Sequence, residues 1–117
     1  MTNDNILTQI DIERALVEEG KSLRRLVNVI RDSAQAKAQA ETIFKVAFAK
    51  QRLLARAGEG RVTEAFADDT AVVMTENERM TFLSADGVLM AQREELRICQ
   101  SRIDALRTLM ASVRSVT

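Results

Sequence analysis

The run TENERMTFLSADGVLMAQREELRICQSRIDALRTLMASVRSV, residues 75 to 116, carries one unbroken helical pattern without proline. Phe82, Leu89, Leu96, Ile103 and Met110 recur every seven residues, and Ala85, Gln92, Cys99, Leu106 and Val113 follow each of them by three. Apolar residues in that double spacing form a heptad seam, the stripe by which one α-helix packs against another. Gln92 is its single polar member and is expected to fix the alignment of the packed helices. Thr75 and Glu78 stand three apart at the head of the run, the arrangement of a capping box in which each side chain takes the other's free backbone N–H.

Fully burying Leu89, Leu96, Ile103, Leu106, Met110 and Val113 gains roughly 2 kcal/mol each. Ordering about forty residues costs on the order of 1 to 2 kcal/mol apiece. The helix therefore needs partner helices, from its own chain or from copies of it. The fold expected is all-α: long helices forming an antiparallel hairpin, a coiled-coil-like bundle that oligomerises. Phe82, Leu89, Leu96, Ile103, Leu106, Met110 and Val113 are the oligomerisation residues on this reading.

Outward from that run, the 117-residue chain is 46% apolar with a mean hydropathy of −0.12, as expected of one helical domain. No proline and only four glycines interrupt it, which favours long helices. The chain has no histidine, tryptophan or tyrosine. That removes the usual general base, the commonest metal ligand and the best stacking platforms, so neither an enzyme nor a cofactor or metal site is expected. Cys99, the only cysteine, is read as a small buried residue of the seam, and a lone thiol fits a reducing compartment. The N-terminal residues lack a signal-peptide pattern and no segment has the length of a membrane span, so a cytoplasmic protein is expected.

Apolar positions Ile12, Leu16, Leu23, Leu26, Val27 and Ile30 predict a first helix over 10–31, with Asp4 or Thr8 as its cap. Ser33 is placed to cap a second helix over 33–57, with Ile43, Val46, Ala47, Leu53 and Leu54 as its apolar stripe. The intervening Ala/Gln segment also allows the two to be one rod with a thin waist. Phe44 and Phe48, one turn apart, are read as core, with base stacking as the alternative. Gly58 is placed to end the helix; the Gly-Glu-Gly run has neither a preceding strand nor a following lysine-serine pair, so it is no phosphate loop. Residues 61–75 are expected to be an acidic connector with at most one helical turn, which Thr63 is placed to cap; Ala71-Val72-Val73-Met74 is strand-like in composition but has no second strand to pair with. The third helix then spans 76–116.

The net charge is zero, from seventeen basic and seventeen acidic residues, yet the charges are segregated. Residues 37 to 61 balance to +4, with six basic side chains against two acidic, and residues 64 to 78 to −5, with five acids and no base. From Leu96 onward, Arg97, Arg102, Arg107 and Arg114 face only Asp104, a balance of +3. Either these are solvated and internally paired helix faces, or the basic helices present an anion-binding surface.

The run KVAFAKQRLLARAGEG (residues 45 to 60), then MTFLSAD (80 to 86), then IDALRTLMASVRS (103 to 115), resembles the UvsY recombination mediators of T-even bacteriophages. The residues that carry it are Lys50 and Arg52 before the glycine turn, Leu83-Ser84-Ala85-Asp86, and Ile103-Asp104-Ala105; it covers roughly Ile43 to Ser115. The resemblance implies a small, non-enzymatic, homo-oligomeric phage protein that binds single-stranded DNA. It also implies that the protein helps load a RecA-like recombinase where a single-strand-binding protein sits. It makes Lys50 and Arg52 the DNA-contacting pair, with Lys45 and Arg56 on the same helix. Where the family has tyrosines after its basic pair, this chain has Leu54, Ala55 and Arg56, so backbone electrostatics carries more, with Arg56 offering its guanidinium plane. Two rivals stand beside this reading: a coiled-coil scaffold whose arginines serve interhelical pairing, and a helical adaptor that takes a protein partner through the acidic connector.

Overall fold

The computed structural model of the chain describes residues 8–58, 60 and 62–116, and all regular structure among them is α-helical. Helix α1 spans Gln9–Arg56, α2 Glu64–Met74 and α3 Glu76–Val116. The chain divides into two compact units: one joins the residues up to Ile30 with those from Ala91 onward, and the other is Arg31–Met90.

The first two expected helices are one. Nothing in Arg31-Asp32-Ser33 stops a helix, and the alanines, glutamines and lysine that follow are strong helix formers, so α1 runs through Ser33 without a cap. Its start is closed by Thr8 and Asp11. The Asp11 N–H donates to Thr8 Oγ1 and the Thr8 N–H to Asp11 Oδ2, both at 3.2 Å, a reciprocal cap. Hydrogen bonding from the Thr8 hydroxyl, then from its backbone, holds the Asp11 carboxyl below its ordinary range. The alternative cap, Asp4, lies outside the described residues.

Continuity resets which face of α1 looks inward. Ile12, Leu16, Glu19, Leu23, Leu26, Ile30, Ser33, Lys37, Ala40, Phe44, Ala47 and Gln51 follow one another by alternating threes and fours, and all are buried or half-buried. That is a heptad seam. Of the stripe expected on the second half, only Ala47 belongs to it. Ile43, Val46, Leu53 and Leu54 are each about 60% exposed, because the small and polar waist carries the seam from Ile30 to Phe44 and turns the large aliphatics outward. On α3 every expected seam residue, Phe82 to Val113, is buried or half-buried.

In the unit made of the chain's two outer segments, α1 and α3 pack with Ile12, Cys99, Ile103 and Met110 buried. The Cys99 thiol lies 3.3 Å from Glu19 Oε2 and 3.5 Å from the Glu19 carbonyl, and donates to them. Burial first, then the Glu19 contact, pushes the thiol above its ordinary pKa, with Arg102 opposing; Cys99 stays a protonated thiol and a poor nucleophile. The buried Gln92 Oε1 has no hydrogen bond.

In the Arg31–Met90 unit, Lys37 pairs with Asp86 at 3.0 Å and Phe44 stacks on Phe82 at 6.0 Å between centroids. Residue numbers rise on α1 as they fall on α3, so the two segments run antiparallel. Phe48 meets Phe44 edge-on at 6.1 Å, and both rings are half-buried. Ala40, Ala67, Ala71, Thr75 and Leu89 are the buried residues of this unit. Small side chains there let α2 approach closely.

The acidic connector is helix α2. Thr63 caps it, its hydroxyl accepting the Phe66 N–H at 3.1 Å. Residues 71–74, strand-like in composition, continue that helix, as a strand without a partner leaves its backbone unsatisfied. Thr75 does not open α3 with a capping box. With one residue between α2 and α3, its N–H and hydroxyl both turn back to the Ala71 carbonyl, at 3.1 and 2.6 Å, while Glu78 Oε2 is buried without a hydrogen bond. The left-handed residue of the α1–α2 turn is Gly60, at φ 89°, rather than Gly58.

Candidate nucleic-acid interface

The four basic residues expected to contact DNA lie on the last three turns of α1, and the structure does not treat them alike. Lys45 forms an exposed i,i+4 pair with Glu41 at 2.9 Å. Pairs of this kind contribute only about 0.3 to 0.5 kcal/mol, so Lys45 can exchange its carboxylate for another anion. Lys50 is exposed and lies among Val46, Ala49, Leu53, Leu54 and Ala57. It stands two residues from Arg52 and so about 200° round the helix; the expected Lys50/Arg52 pair occupies opposite faces.

Arg52 and Arg56 are one turn apart on one face, and they converge. Arg52 Nη2 reaches Glu64 Oε2 at 2.7 Å, and Arg56 Nη2 bonds the same oxygen. Arg52 Nε lies 2.7 Å from Asp68 Oδ1. Two guanidinium groups thus meet on one anionic oxygen supplied by α2. The Arg56 hydrogen bond foremost, supported by Arg52, holds the Glu64 carboxyl below its ordinary pKa of 4.5. Sequence reading grouped Glu64 and Asp68 only as connector acids. The signal that could have placed them is the i,i+4 spacing shared by Arg52/Arg56 and Glu64/Asp68, which matches two antiparallel helices across a short turn.

Three arginines of α3 are also engaged. Arg97 pairs with Glu94, Arg102 with Glu19 at 3.8 Å and Arg107 with Asp104 at 3.9 Å. The Asp86 of the Leu83-Ser84-Ala85-Asp86 segment holds Lys37, a structural duty. The seven residues expected at an oligomer interface, Phe82, Leu89, Leu96, Ile103, Leu106, Met110 and Val113, all lie on the inward seam of α3, packed within the chain. Among the described residues no helix is long and apolar enough to cross a membrane. No family model, no curated protein and no solved structure matches this chain.

Proposed function

We propose that the protein is a self-associating, single-stranded-DNA-binding recombination mediator of the UvsY type. On this reading it acts beside a RecA-like recombinase and a single-strand-binding protein in the cytoplasm of a phage-infected cell. The observation that carries the DNA part is the convergence of Arg52 and Arg56 on one carboxylate oxygen. Paired guanidinium groups aimed at a single anionic oxygen are suited to phosphate, and the Glu64 carboxylate, 70% exposed, is an occupant that a phosphate can replace. Lys45, about two turns before Arg52 on α1, adds a further exposed charge to the same helix.

The test is a mobility-shift titration with an unstructured oligonucleotide at two salt concentrations. Each neutralised phosphate on a single strand contributes about 0.7 to the salt slope of log K, so Arg52→Ala/Arg56→Ala should lower the slope by up to roughly 1.4 per engaged subunit. An unchanged slope and affinity would remove these residues from the interface.

One observation favours the scaffold reading: the same ion pairs, left undisturbed, simply pin α2 to α1. Glu64→Gln/Asp68→Asn separates the two. If the arginines bind phosphate, freeing them raises affinity for the oligonucleotide; if they only hold α2, helicity of the connector falls and binding stays as in the parent.

A further inference from the structure

The Arg31–Met90 unit carries two apolar stripes that its own packing leaves uncovered. On α1, Ile43, Val46, Lys50 and Leu53 succeed one another by three, four and three residues, and the three apolar members are 59 to 65% exposed. The centre of this stripe lies about 110° round the helix from that of Phe44, Ala47 and Gln51, which face inward. On α3, Glu76, Met80, Leu83, Gly87 and Met90 repeat the same alternation, and the large apolar members are 44 to 62% exposed. Val73, on the last turn of α2, is 71% exposed.

We infer that these stripes are the self-association surface of the protein: the α1 stripe of one copy packs antiparallel on the Val73–Leu83 face of a second copy. An unoccupied 3–4 repeat is filled best by a helix with the same repeat, and this chain supplies one on each side. One antiparallel alignment satisfies every position together. With Ile43 opposite Leu83, Val46 meets Met80, Lys50 meets Glu76 and Leu53 meets Val73. The intrachain Phe44–Phe82 stacking has the same offset, so the intermolecular pairing repeats the alignment already built into the unit. Lys50 and Glu76 are both exposed and neither forms an ion pair among the described residues, so each can bring its charge to the other.

The area also fits. Seven apolar side chains at roughly 80 Å² apiece place on the order of 560 Å² of apolar surface on the two stripes. That is at the upper end of the roughly 300 to 600 Å² of the largest patch on a typical monomer, and Lys50, Glu76 and a polar rim carry it toward the roughly 1,200 Å² lower end of stable interfaces. A lipid surface is a poorer occupant, since Glu76 sits within one stripe. Because the two stripes are different surfaces, the contact is heterologous: repeated from copy to copy it closes into a ring or runs on as a filament. The inference deepens the self-association in the proposed function and is independent of DNA.

The test is the mass of the full chain in solution, by sedimentation or light scattering, with helicity as a check. The parent should be larger than a monomer. Lys50→Glu and Glu76→Lys each bring like charges together and should weaken assembly by at least about tenfold with unchanged helicity, since both positions are exposed. The two exchanged in one chain should assemble again. Leu53→Asn should also give the monomer, without relying on charge. A parent that is monomeric at micromolar concentration would overturn self-association itself. An assembled parent whose mass survives Lys50→Glu, Glu76→Lys and Leu53→Asn would overturn this surface.

Discussion

The two units use the same repeat in opposite ways. In the unit formed by the chain's outer segments, large side chains fill the seam: Ile12, Ile103 and Met110 are buried there. In Arg31–Met90 the buried positions are mostly small, Ala40, Ala67, Ala71 and Thr75 beside Leu89, while Ile43, Val46, Leu53, Met80 and Met90 stand outside. A heptad seam requires periodicity before it requires bulk. Where the inward positions are small, a third helix approaches closely and the large residues are left for another surface. The first unit puts its largest buried side chains into its own seam, although Ile10, Val17 and Ile98 stand outside it, and the second leaves more of its apolar area exposed.

The largest expected effect breaks the first unit. Ile103→Asp places a carboxylate at a position only 8% exposed, which costs several kcal/mol where no cation is in reach. Urea denaturation should show loss of most of the stability, whereas Leu53→Asn, in the other unit, should leave the folding of the single chain within about 0.5 kcal/mol of the parent. Equal losses in the two variants would erase the contrast.

A smaller effect of opposite sign is expected at Gln92. Its buried Oε1 accepts no hydrogen bond, and relieving an unsatisfied buried polar group is worth about 1 to 3 kcal/mol. Gln92→Leu should raise the unfolding midpoint in urea; a lowered midpoint would mean that the amide has a structural partner, such as water.

Gly20 comes next. It lies inside α1, and an added Cβ would meet no atom within 4 Å, so Gly20→Ala should stabilise by about 0.5 to 1 kcal/mol. A thermal melt checks this directly.

The smallest effect is in pH. Glu64 binds its proton less readily folded than unfolded, owing first to Arg56. Its contribution is complete above its ordinary value of 4.5 and disappears as pH falls through the lower folded value. Acid titration of the parent should show a loss below that range that is absent in Glu64→Gln, and the attachment of α2 should be what loosens.

Much of this fold was legible in the residues. The seam of α3 was read position by position, because ten residues keep one alternation without a break. The Thr63 cap was also legible, from a local rule. The inward face of α1 was legible only in its first half, where Ile12, Leu16, Leu23, Leu26 and Ile30 lie on the seam as read and Val27 does not. Its seam passes through Glu19, Ser33, Lys37 and Gln51, which carry no hydrophobic signal, and the brightest apolar stripe, Ile43 to Leu54, faces the other way. Thr75 misled for a related reason: a hydroxyl between two helices can cap the one ahead or bond the one behind, and only the packing of α2 decides. For the candidate site, the basic cluster was visible but its partners were not, since the convergence of Arg52 and Arg56 on Glu64 depends on a turn that brings the connector back along α1.

The central claim is that the heptad seams of α1 and α3 are satisfied within one chain, and Lys37 with Asp86 reports on it most directly. Their 3.0 Å ion pair permits a zero-length carbodiimide cross-link, which mass spectrometry can read in an equal mixture of isotopically light and heavy chains. The account predicts a Lys37–Asp86 cross-link in which both peptides carry the same isotope. Cross-linked peptides of mixed isotope, in the proportion expected for random exchange between chains, would contradict it.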